Sequence, residues 1–216
     1  MRPRLKVCCM GSREEARRAI ALGADAIGLV GDMPSGSGMI SDALAADIAR
    51  SVPPPVATFM LTSESRADAI ADHVLRVGAN TVQIVRHIDP GEYAQLRRRL
   101  AATKLVQVVH IESEATIGLA ATYGELADAL LLDSGRPGAA IAELGGTGRV
   151  HDWSISQRVA AGVGVPVFLA GGLTPENVRA AAAQVQPFGI DVCSGVRTAG
   201  LLDDAKLAAF TRALWA

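Results

Sequence analysis

Two glycine-containing turns near the end of the sequence have the composition of a phosphate-binding site. The pair Gly171–Gly172 follows the apolar run Val165–Ala170, and the pair Ser194–Gly195 follows the run Phe188–Cys193. Glycine has no Cβ atom, so its backbone can turn sharply and approach a ligand closely. Backbone N–H groups exposed in such turns suit a phosphate dianion. Each turn alone is typical of an ordinary α/β loop, but the two together favour a phosphate site.

Three polar side chains could supply acid–base chemistry, because they stand in or at the end of apolar runs. Cys8 lies in the first run, Asp133 ends the run Ala129–Asp133, and Asp191 lies in the last run. A lone buried thiol is more often a small hydrophobe than a catalytic group. A carboxylate that ends a strand can cap the following loop or titrate as an acid. Asp191 can be a second acid or an acceptor for backbone N–H groups.

The apolar runs alternate with helix-forming segments eight times. This alternation predicts a parallel sheet, and eight repeats point to a closed (β/α)8 barrel, with an open doubly wound sheet as the alternative. No composition shift marks a second domain, so we expect residues 1–216 to form one barrel with its chemistry at the C-terminal ends of the strands. The predicted strands are Leu5–Met10, Ala26–Val30, Pro55–Leu61, Thr81–Val85, Leu105–Ile111, Ala129–Asp133, Val165–Ala170 and Phe188–Cys193.

Helix-start signals mark several of the segments between the strands. Ser12 can cap the first helix, and Thr174 can cap the helix that follows the glycine turn of the seventh strand. A long loop after the sixth strand contains glycines and could close over a substrate. The predicted helices are Ser12–Leu22, Ser41–Arg50, Glu64–Val77, Pro90–Leu100, Glu114–Tyr123, Ser154–Ala161, one after Thr174, and Asp203–Leu214.

The composition argues against several classes of function. The 216 residues carry a net charge of -1, so the chain has no basic field for nucleic acid. Its three cysteines form neither a disulfide framework nor a metal-binding spacing. No apolar stretch is long enough to span a bilayer, and no apolar signal core follows the N-terminus. We therefore expect a cytoplasmic protein with a small-molecule partner and with no metal, nucleic acid or membrane.

The chain resembles the phosphoribosylanthranilate isomerases, a (β/α)8 enzyme family of tryptophan biosynthesis, nearly from end to end. The resemblance rests on an ordered set of motifs, since an Ala-Gly-Gly turn alone is shared by many phosphate-binding barrels. The matching stretches are Lys6–Cys8, Ala21–Gly28, Val82–Gln83, Leu131–Ser134, Gly145–Gly148, Asp152–Trp153, Leu169–Val178 and Asp191–Val196.

The resemblance implies roles for the candidate residues. In the family, the cysteine at the position of Cys8 is the general base, and the aspartate at the position of Asp133 is the general acid. The family's glycine-rich turns hold the substrate phosphate, and no cofactor takes part. We expect a phosphosugar substrate and a monomer or homodimer. The positions assigned to the phosphate are Gly146, Gly148, Gly171, Gly172, Ser194 and Gly195, and those assigned to the rest of the substrate are Gln83, Arg86, Asp191 and Arg197.

The reaction implied is the Amadori rearrangement of N-(5-phosphoribosyl)anthranilate to the 1-(carboxyphenylamino)-1-deoxyribulose 5-phosphate. An acid must protonate the furanose ring oxygen, and a base must remove the proton from C2′. A cysteine base requires a lowered pKa, and an aspartate that holds its proton near neutral pH requires a raised one. The alternatives are a related isomerase for another N-phosphoribosyl amine, or a sugar-phosphate-binding barrel without turnover.

Two neighbouring cysteines end the first predicted strand. Successive side chains of a strand point to opposite faces, so only one of Cys8 and Cys9 can face the barrel axis. The resemblance selects Cys8. We expect Cys9, which stands where the family usually has glycine, to point away and to tolerate replacement by alanine. Lys6 shares the face of Cys8, where it could lower the thiol pKa or be structural.

The part of the site expected to hold the anthranilate departs from the family pattern. After the second strand the family usually has Ser-Pro-Arg, whose arginine helps to hold the anthranilate carboxylate, whereas this chain has Met33–Met39 without an arginine. A buried carboxylate needs a charged or hydrogen-bonding partner. Arg86 and Arg197 are the candidate replacements. We expect Arg86 to act, because the end of the fourth strand should lie nearer the aglycone.

Overall fold

The computed structural model describes residues 2–34, 36–135 and 150–216. Eight parallel strands pair in chain order, and β8 also pairs with β1, so the sheet closes into a barrel. This closure confirms the (β/α)8 fold. The strands are β1 (Arg4–Val7), β2 (Ala26–Val30), β3 (Ala57–Thr62), β4 (Thr81–Ile84), β5 (Lys104–His110), β6 (Ala129–Asp133), β7 (Val167–Leu169) and β8 (Gly189–Val192).

Side chains at alternate strand positions divide between two cores. Leu5 and Val7 pack with the helices in the outer core, between the strands and the helical layer. Cys8 and Phe168 pack in a separate inner core that fills the barrel. Lys6 therefore lies on the inner face of β1, where a charged side chain needs a partner.

Eight helices of the described ranges cover the outside of the barrel. Ser12 caps the first helix as predicted, because its Oγ accepts the backbone N–H of Glu15 at 3.1 Å. Ser41 and Asp203 cap the second and last helices in the same way. The helices are α1 (Arg13–Ala21), α2 (Asp42–Ser51), α3 (Ala67–Val77), α4 (Glu92–Arg99), α5 (Thr116–Gly124), α6 (Trp153–Gly162), α7 (Val178–Val185) and α8 (Asp204–Trp215).

α7 begins only at Val178, but Thr174 does accept hydrogen bonds ahead of it: its Oγ1 accepts the Glu176 N–H at 3.3 Å and its carbonyl accepts the Val178 N–H at 3.0 Å. Asn177 binds both sides of the preceding segment: its Oδ1 accepts the Thr174 N–H at 2.8 Å, and its Nδ2 donates to the Gly172 carbonyl at 2.9 Å. These bonds hold residues 172–177 as a turn that leads into the helix. The turn keeps the backbone after β7 at the C-terminal mouth of the barrel.

The chain after β8 contains short elements that the sequence did not predict. Ser194–Val196 forms one turn of 3₁₀-helix, and an antiparallel hairpin of β9 (Arg197–Thr198) and β10 (Leu201–Leu202) follows it. The hairpin brings Arg197 back against the end of β1, where its guanidinium binds the Cys8 carbonyl at 3.2 Å. This contact joins the hairpin to the end of β1.

Candidate active site

A buried ion pair joins the neighbouring strands β1 and β8 on the inner face of the barrel. Lys6 stands opposite Asp191 in the strand register, and its Nζ donates a hydrogen bond to Asp191 Oδ1 at 2.8 Å. Lys6 is fully buried, and its ammonium group lies 5.4 Å from the centre of the Phe59 ring. Burial alone would lower the pKa of Lys6, but the Asp191 carboxylate outweighs it and raises the pKa above its ordinary value. Lys6 is therefore charged at neutral pH.

Cys8 lies on the same inner face, two residues beyond Lys6. Its backbone N–H donates to the Val192 carbonyl at 2.8 Å, which fixes the residue although β1 ends one position earlier. A Cβ atom at Gly28 would lie 2.5 Å from Cys8 Sγ and 3.2 Å from Lys6 Nζ. Glycine at position 28 thus leaves room for both side chains.

The predicted orientation of Cys9 is wrong. Cys9 is buried in the same inner core as Cys8, and Cys193 packs against that core. The alternation rule fails because β1 ends at Val7 and Cys9 has a left-handed backbone, with φ 66°. This conformation turns the Cys9 side chain back toward Cys8. The three cysteines of the chain therefore lie together at the mouth of the barrel.

The pKa of Cys8 lies below its ordinary value. A hydrogen bond from the Cys9 thiol is the largest cause, burial opposes it, and the Lys6 charge adds to the lowering. The pKa of Cys9 is raised well above its ordinary value by its hydrogen bonds with Cys193 and Cys8 and by burial. Cys8 is therefore the thiol that ionises, and Cys9 keeps its proton. The lowered pKa of Cys8 agrees with the requirement for a cysteine base. The sequence analysis did not predict that Cys9 contributes to this lowering.

The pKa of Asp133 is displaced in the opposite direction, above its ordinary value. It ends β6 inside the barrel mouth, and burial raises its pKa to about 6. The Asp191 charge adds to the rise, while the Ser134 backbone N–H, which donates to Asp133 Oδ1 at 2.7 Å, opposes it. The carboxyl group therefore keeps its proton to a higher pH than an ordinary aspartate does. Asp133 also accepts a hydrogen bond from the first residue of the following loop, which is the first of the two alternatives left open by the sequence.

The Lys6–Asp191 pair acts on both candidate groups. At Cys8 the lowering of the pKa by Lys6 outweighs the opposing effect of Asp191, and at Asp133 the rise of the pKa caused by Asp191 outweighs the opposing effect of Lys6. Gln83 also lies in the buried interior, and among the described residues its Oε1 has no hydrogen-bond partner. The structure thus gathers Cys8, Asp133, Asp191 and Gln83 in one barrel, as the sequence predicted.

The glycine turns after β7 and β8 meet at the same end of the barrel. Gly171 and Gly172 have φ values of 85° and 63°, which strongly favour glycine. A Cβ atom at Gly195 would lie 2.0 Å from the Leu173 carbonyl oxygen, so the second turn packs directly against the first. Within the ranges that the structure describes, the backbone N–H groups of Gly171 and Gly172 donate no hydrogen bond. The predicted positions Gly146 and Gly148 lie outside the described residues.

His151 is a site residue that the sequence analysis missed. A Cβ atom at Gly171 would lie 2.9 Å from Ser134 Oγ and 3.1 Å from His151 Nδ1, so all three line one wall of the turn. Burial lowers the pKa of His151 to about 4, so its ring is neutral at neutral pH. Its Nε2 lies 2.7 Å from Ser156 Oγ. The only sequence signal was its position next to the matched motif that begins at Asp152.

The two candidate arginines differ in their surroundings. Arg197 forms an ion pair with Glu15 at 3.2 Å and also donates to backbone carbonyls at Cys8, Cys9 and Gly200. Its two terminal nitrogens are thus engaged within the protein. Arg86 is half-buried after β4, and no ion pair involves it within residues 2–34, 36–135 and 150–216. Arg86 is the cation of the two that is free to meet a ligand.

In the part of the chain that the structure describes, no cluster of three or more histidine, cysteine or acidic side chains could hold a metal ion. None of the helices described is both long and apolar enough to cross a membrane.

Comparison with known proteins points to one family. Residues 5–213 match the family described as N-(5′phosphoribosyl)anthranilate (PRA) isomerase. The chain is 38% identical over 214 residues to an N-(5′-phosphoribosyl)anthranilate isomerase of Nitrosococcus oceani. The alignment covers 98% of this chain and 97% of the relative. It superposes on the phosphoribosyl anthranilate isomerase of Thermus thermophilus with a TM-score of 0.83 at 27% identity, covering 98% of both chains.

A second solved structure carries a bound ligand. It is a phosphoribosyl anthranilate isomerase in complex with reduced 1-(o-carboxyphenylamino)-1-deoxyribulose 5-phosphate. The TM-score is 0.78 at 29% identity, and the match covers 98% of both chains. The similarity therefore spans the whole barrel, including the strand ends that carry the site.

Proposed function

The chain belongs to the N-(5′-phosphoribosyl)anthranilate isomerase family, and we propose which of its residues carry out the family's reaction. The enzyme is an aldose–ketose isomerase that catalyses the Amadori rearrangement of N-(5′-phosphoribosyl)anthranilate in tryptophan biosynthesis. One observation carries the assignment of residues. A thiol with a lowered pKa and a carboxyl group with a raised pKa share one buried ion pair. Groups whose pKa values are driven apart in this way suit the roles of base and acid.

Asp133 is the general acid in this proposal. With its pKa raised to about 6, it holds a proton closer to neutral pH than an ordinary aspartate. It donates this proton to the furanose ring oxygen, the bond from that oxygen to C1′ breaks, and the substrate nitrogen stabilises the resulting cation as an iminium. The Ser134 backbone N–H then stabilises the aspartate that remains.

Cys8 is the general base. Its thiolate removes the proton from C2′, and the electron pair of that bond neutralises the iminium to give an enolamine. Tautomerisation of the enolamine places a carbonyl group at C2′ and a proton at C1′, which completes the aminoketose. Asp133 and Cys8 move the protons of ring opening and of C2′ deprotonation, so the proposal requires no cofactor for these steps.

The phosphate binds where the turns after β7 and β8 meet. The contact between Gly195 and the Leu173 carbonyl brings the two turns together, and the N–H groups at Gly171 and Gly172 are available as donors. Ser194 lies in the second turn. Gly146 and Gly148 are proposed from the family motif alone, since they lie outside the described residues.

The aglycone carboxylate binds to Arg86 in this proposal. Arg86 follows β4 and is half-buried, and its backbone carbonyl accepts Gln107 Nε2 at 2.7 Å, which fixes the base of the side chain. Gln83, on the inner face of the same strand, supplies an amide to the sugar. Arg197 is the weaker candidate, because its terminal nitrogens are already engaged.

The substrate is tested by complementing a tryptophan auxotroph that lacks this step, in parallel with an assay of the purified protein on N-(5′-phosphoribosyl)anthranilate. Growth that depends on both Cys8 and Asp133 supports the proposal. A folded protein that binds the substrate without forming the aminoketose would overturn the assigned turnover. Growth that survives Cys8→Ala and Asp133→Asn would overturn the assigned residues.

The oligomeric state and the cellular location complete the proposal. We expect a monomer or a homodimer, because the exposed large apolar side chains of the described ranges are scattered over separate elements, such as Leu75 on α3 and Leu201 in the hairpin. Light scattering coupled to size-exclusion chromatography measures the mass of the assembly directly. A cytoplasmic location stays a prediction, which cell fractionation tests.

A further inference from the structure

Arg197 and Glu15 form a second buried ion pair at the C-terminal mouth of the barrel. Two nitrogens of the guanidinium group lie 3.2 and 3.3 Å from the two carboxylate oxygens, and neither side chain is more than 10% exposed. The chemistry proposed above uses neither side chain. A buried ion pair adds little stability compared with apolar side chains of the same volume, because both charges lose their hydration. The other contacts of the pair indicate what else it does.

Arg197 holds the backbone of the proposed base beyond the end of its strand. β1 ends at Val7, so Cys8 and Cys9 follow its last residue. The Nη2 atom of Arg197 donates hydrogen bonds to both of their carbonyl oxygens, with a distance of 3.2 Å to that of Cys8. These two carbonyl groups thus receive from a side chain the hydrogen bonds that a buried backbone requires.

Glu15 fixes the position from which Arg197 acts. Its Oε2 accepts the backbone N–H of Gly11, in the loop after Cys8, at 2.9 Å. Its Oε1 accepts the backbone N–H of Leu202, in the hairpin after β8, at 2.9 Å. The carboxylate is therefore held by the backbone on both sides of the ion pair, and it ties the start of α1 to the hairpin.

The segment that holds Cys8 also contains the second phosphate turn. The Cys8 N–H donates to the Val192 carbonyl at 2.8 Å, and the Cys8 carbonyl accepts from Arg197. The turn Ser194–Gly195 lies between these two residues in the chain. Residues 192–197 therefore fix the separation between the phosphate turn and the thiol. In the substrate, covalent bonds fix the separation between the phosphate and C2′, so the two separations must match.

We propose that Arg197 is a positioning residue for the isomerisation: together with Glu15, it holds the backbone of Cys8 at the distance from the phosphate turn that places the thiolate at C2′. The inference rests on the proposed roles of Cys8 and of the turn Ser194–Gly195. Arg197 acts through Cys8 and does not bind the substrate. A reacting group that is misplaced by about 1 Å can lose about 10²-fold in rate.

The competing explanation is that the ion pair only stabilises the barrel. A matched clamp at the opposite end of the barrel provides the control. Arg97 pairs with Asp128 at 2.6 Å and donates to the Leu126 carbonyl at 2.8 Å, and Asp128 accepts the Leu105 N–H at 2.8 Å. This clamp lies where β5 begins, away from the strand ends that carry the chemistry. Arg97→Met therefore measures what the loss of such a clamp does to stability alone.

The experiment compares Arg197→Met, the double variant Glu15→Gln/Arg197→Met and the control Arg97→Met in the full chain. Urea unfolding measures stability. Steady-state kinetics gives kcat, and competitive inhibition by inorganic phosphate reports on the phosphate turn, at a temperature at which circular dichroism shows every variant to be folded. Arg197→Met leaves the Glu15 carboxylate buried and unpaired, so it loses stability. The double variant buries no charge, and its glutamine oxygen still accepts a backbone N–H, but it has no donor for the Cys8 carbonyl.

We expect Arg197→Met and the double variant to lose kcat by about tenfold or more, since both release the Cys8 backbone. The double variant should recover stability without recovering kcat. Inhibition by phosphate should stay near the wild-type level, because the turn keeps its own backbone donors. Arg97→Met should lose stability and keep its kcat. A double variant with the kcat of the wild type, or an inhibition constant for phosphate that weakens as much as kcat falls, would overturn the proposal.

Failure of this inference is distinguishable from failure of the proposed function. If Cys8 is not the base, Cys8→Ala retains turnover, whatever the Arg197 variants do. If the turn Ser194–Gly195 does not hold the phosphate, Gly195→Ala and the wild type are inhibited equally by inorganic phosphate. If both roles hold but Arg197 does not position the base, Cys8→Ala is inactive while the double variant turns over like the wild type.

Discussion

Lys6 Nζ lies 2.8 Å from Asp191 Oδ1, and the charges of this ion pair act on both groups to which the chemistry is assigned. Both charges are removed from water, so neither is stable without the other. The cation favours ionisation of Cys8, and the anion disfavours ionisation of Asp133. A single structural pair thus helps to separate the pKa values of the acid and the base.

The first prediction concerns the two reacting groups. Cys8→Ala and Asp133→Asn should each lower kcat by about 10²- to 10⁴-fold, the usual contribution of a positioned acid or base. Both substitutions are small, so circular dichroism spectra should match that of the wild type. Steady-state kinetics on N-(5′-phosphoribosyl)anthranilate measures the effect, and a folded variant with more than a tenth of wild-type kcat would remove that residue from its role.

The second prediction follows from the raised pKa of Asp133. A group whose pKa rises on folding, here from 3.8 to about 6, stabilises the fold below pH 4, and this contribution is lost as the pH rises toward 6. At neutral pH the wild type therefore carries a buried carboxylate that costs roughly 2–3 kcal/mol. Asp133→Asn, which keeps an acceptor for the Ser134 N–H, should be the more stable protein at pH 7.

Thermal or urea unfolding at several pH values measures that difference. The stability gain of Asp133→Asn over the wild type should grow between pH 4 and pH 6 and then level off. A gain that does not change with pH would show that the effect comes from packing rather than from ionisation. In that case, ionisation of Asp133 would not lower the stability of the active enzyme.

The third prediction concerns the ion pair itself. Lys6→Met and Asp191→Leu should each destabilise the barrel by about 3–5 kcal/mol, because each leaves one charge buried and unpaired. The double variant should regain much of this loss, since it buries no charge. Its kcat should stay low, because neither charge then acts on Cys8 or Asp133. A double variant that is less stable than both single variants would contradict the account.

The sequence predicted the barrel well because each of its elements is encoded locally. β2 and β6 have the bounds that their apolar runs indicated, and Ser12 caps α1 as its position suggested. Asp133 ends β6, as its place at the end of an apolar run indicated. These features depend on residues that are neighbours in the chain.

The sequence could not reveal features that depend on distant contacts or on backbone strain. Alternation along a strand predicted that Cys9 points away, but the rule ends with β1 at Val7, and a positive φ at a non-glycine residue leaves no composition signal. Arg197 and Glu15 are 182 residues apart, so their pairing arises only when the barrel closes. The sequence favoured Arg86 over Arg197 as the ligand of the carboxylate only from the order of the strands. The contact with Glu15 that occupies Arg197 forms only when the barrel closes.

The fourth prediction concerns the phosphate turns. Gly195→Ala should raise KM at least tenfold, because the added Cβ atom would collide with the Leu173 carbonyl oxygen and push the two turns apart. Gly164→Ala is the matched control, since a Cβ atom there meets nothing within 4 Å. Inorganic phosphate should inhibit the wild type competitively and inhibit Gly195→Ala less. Equal inhibition of both proteins would place the phosphate elsewhere.

The last prediction concerns the carboxylate of the anthranilate. Arg86→Ala should lower kcat/KM by roughly 10- to 150-fold, because a hydrogen bond to a charged group contributes about 1.5–3 kcal/mol. Arg98→Ala, on the exposed surface of α4, is the control for loss of one positive charge. Arg197→Ala should lower stability as well, because it leaves Glu15 and the carbonyls of Cys8 and Cys9 without their partner.

A substrate analogue without the carboxylate separates binding from other effects of Arg86. If Arg86 meets that group, Arg86→Ala and the wild type should process an N-phosphoribosyl aniline at similar rates, because the partner of the arginine is absent from both reactions. An equal loss on both substrates would show that Arg86 supports the barrel mouth and does not recognise the carboxylate. A wild type that prefers the aniline substrate would show that this barrel no longer selects for anthranilate, even though its acid, base and phosphate turns are retained.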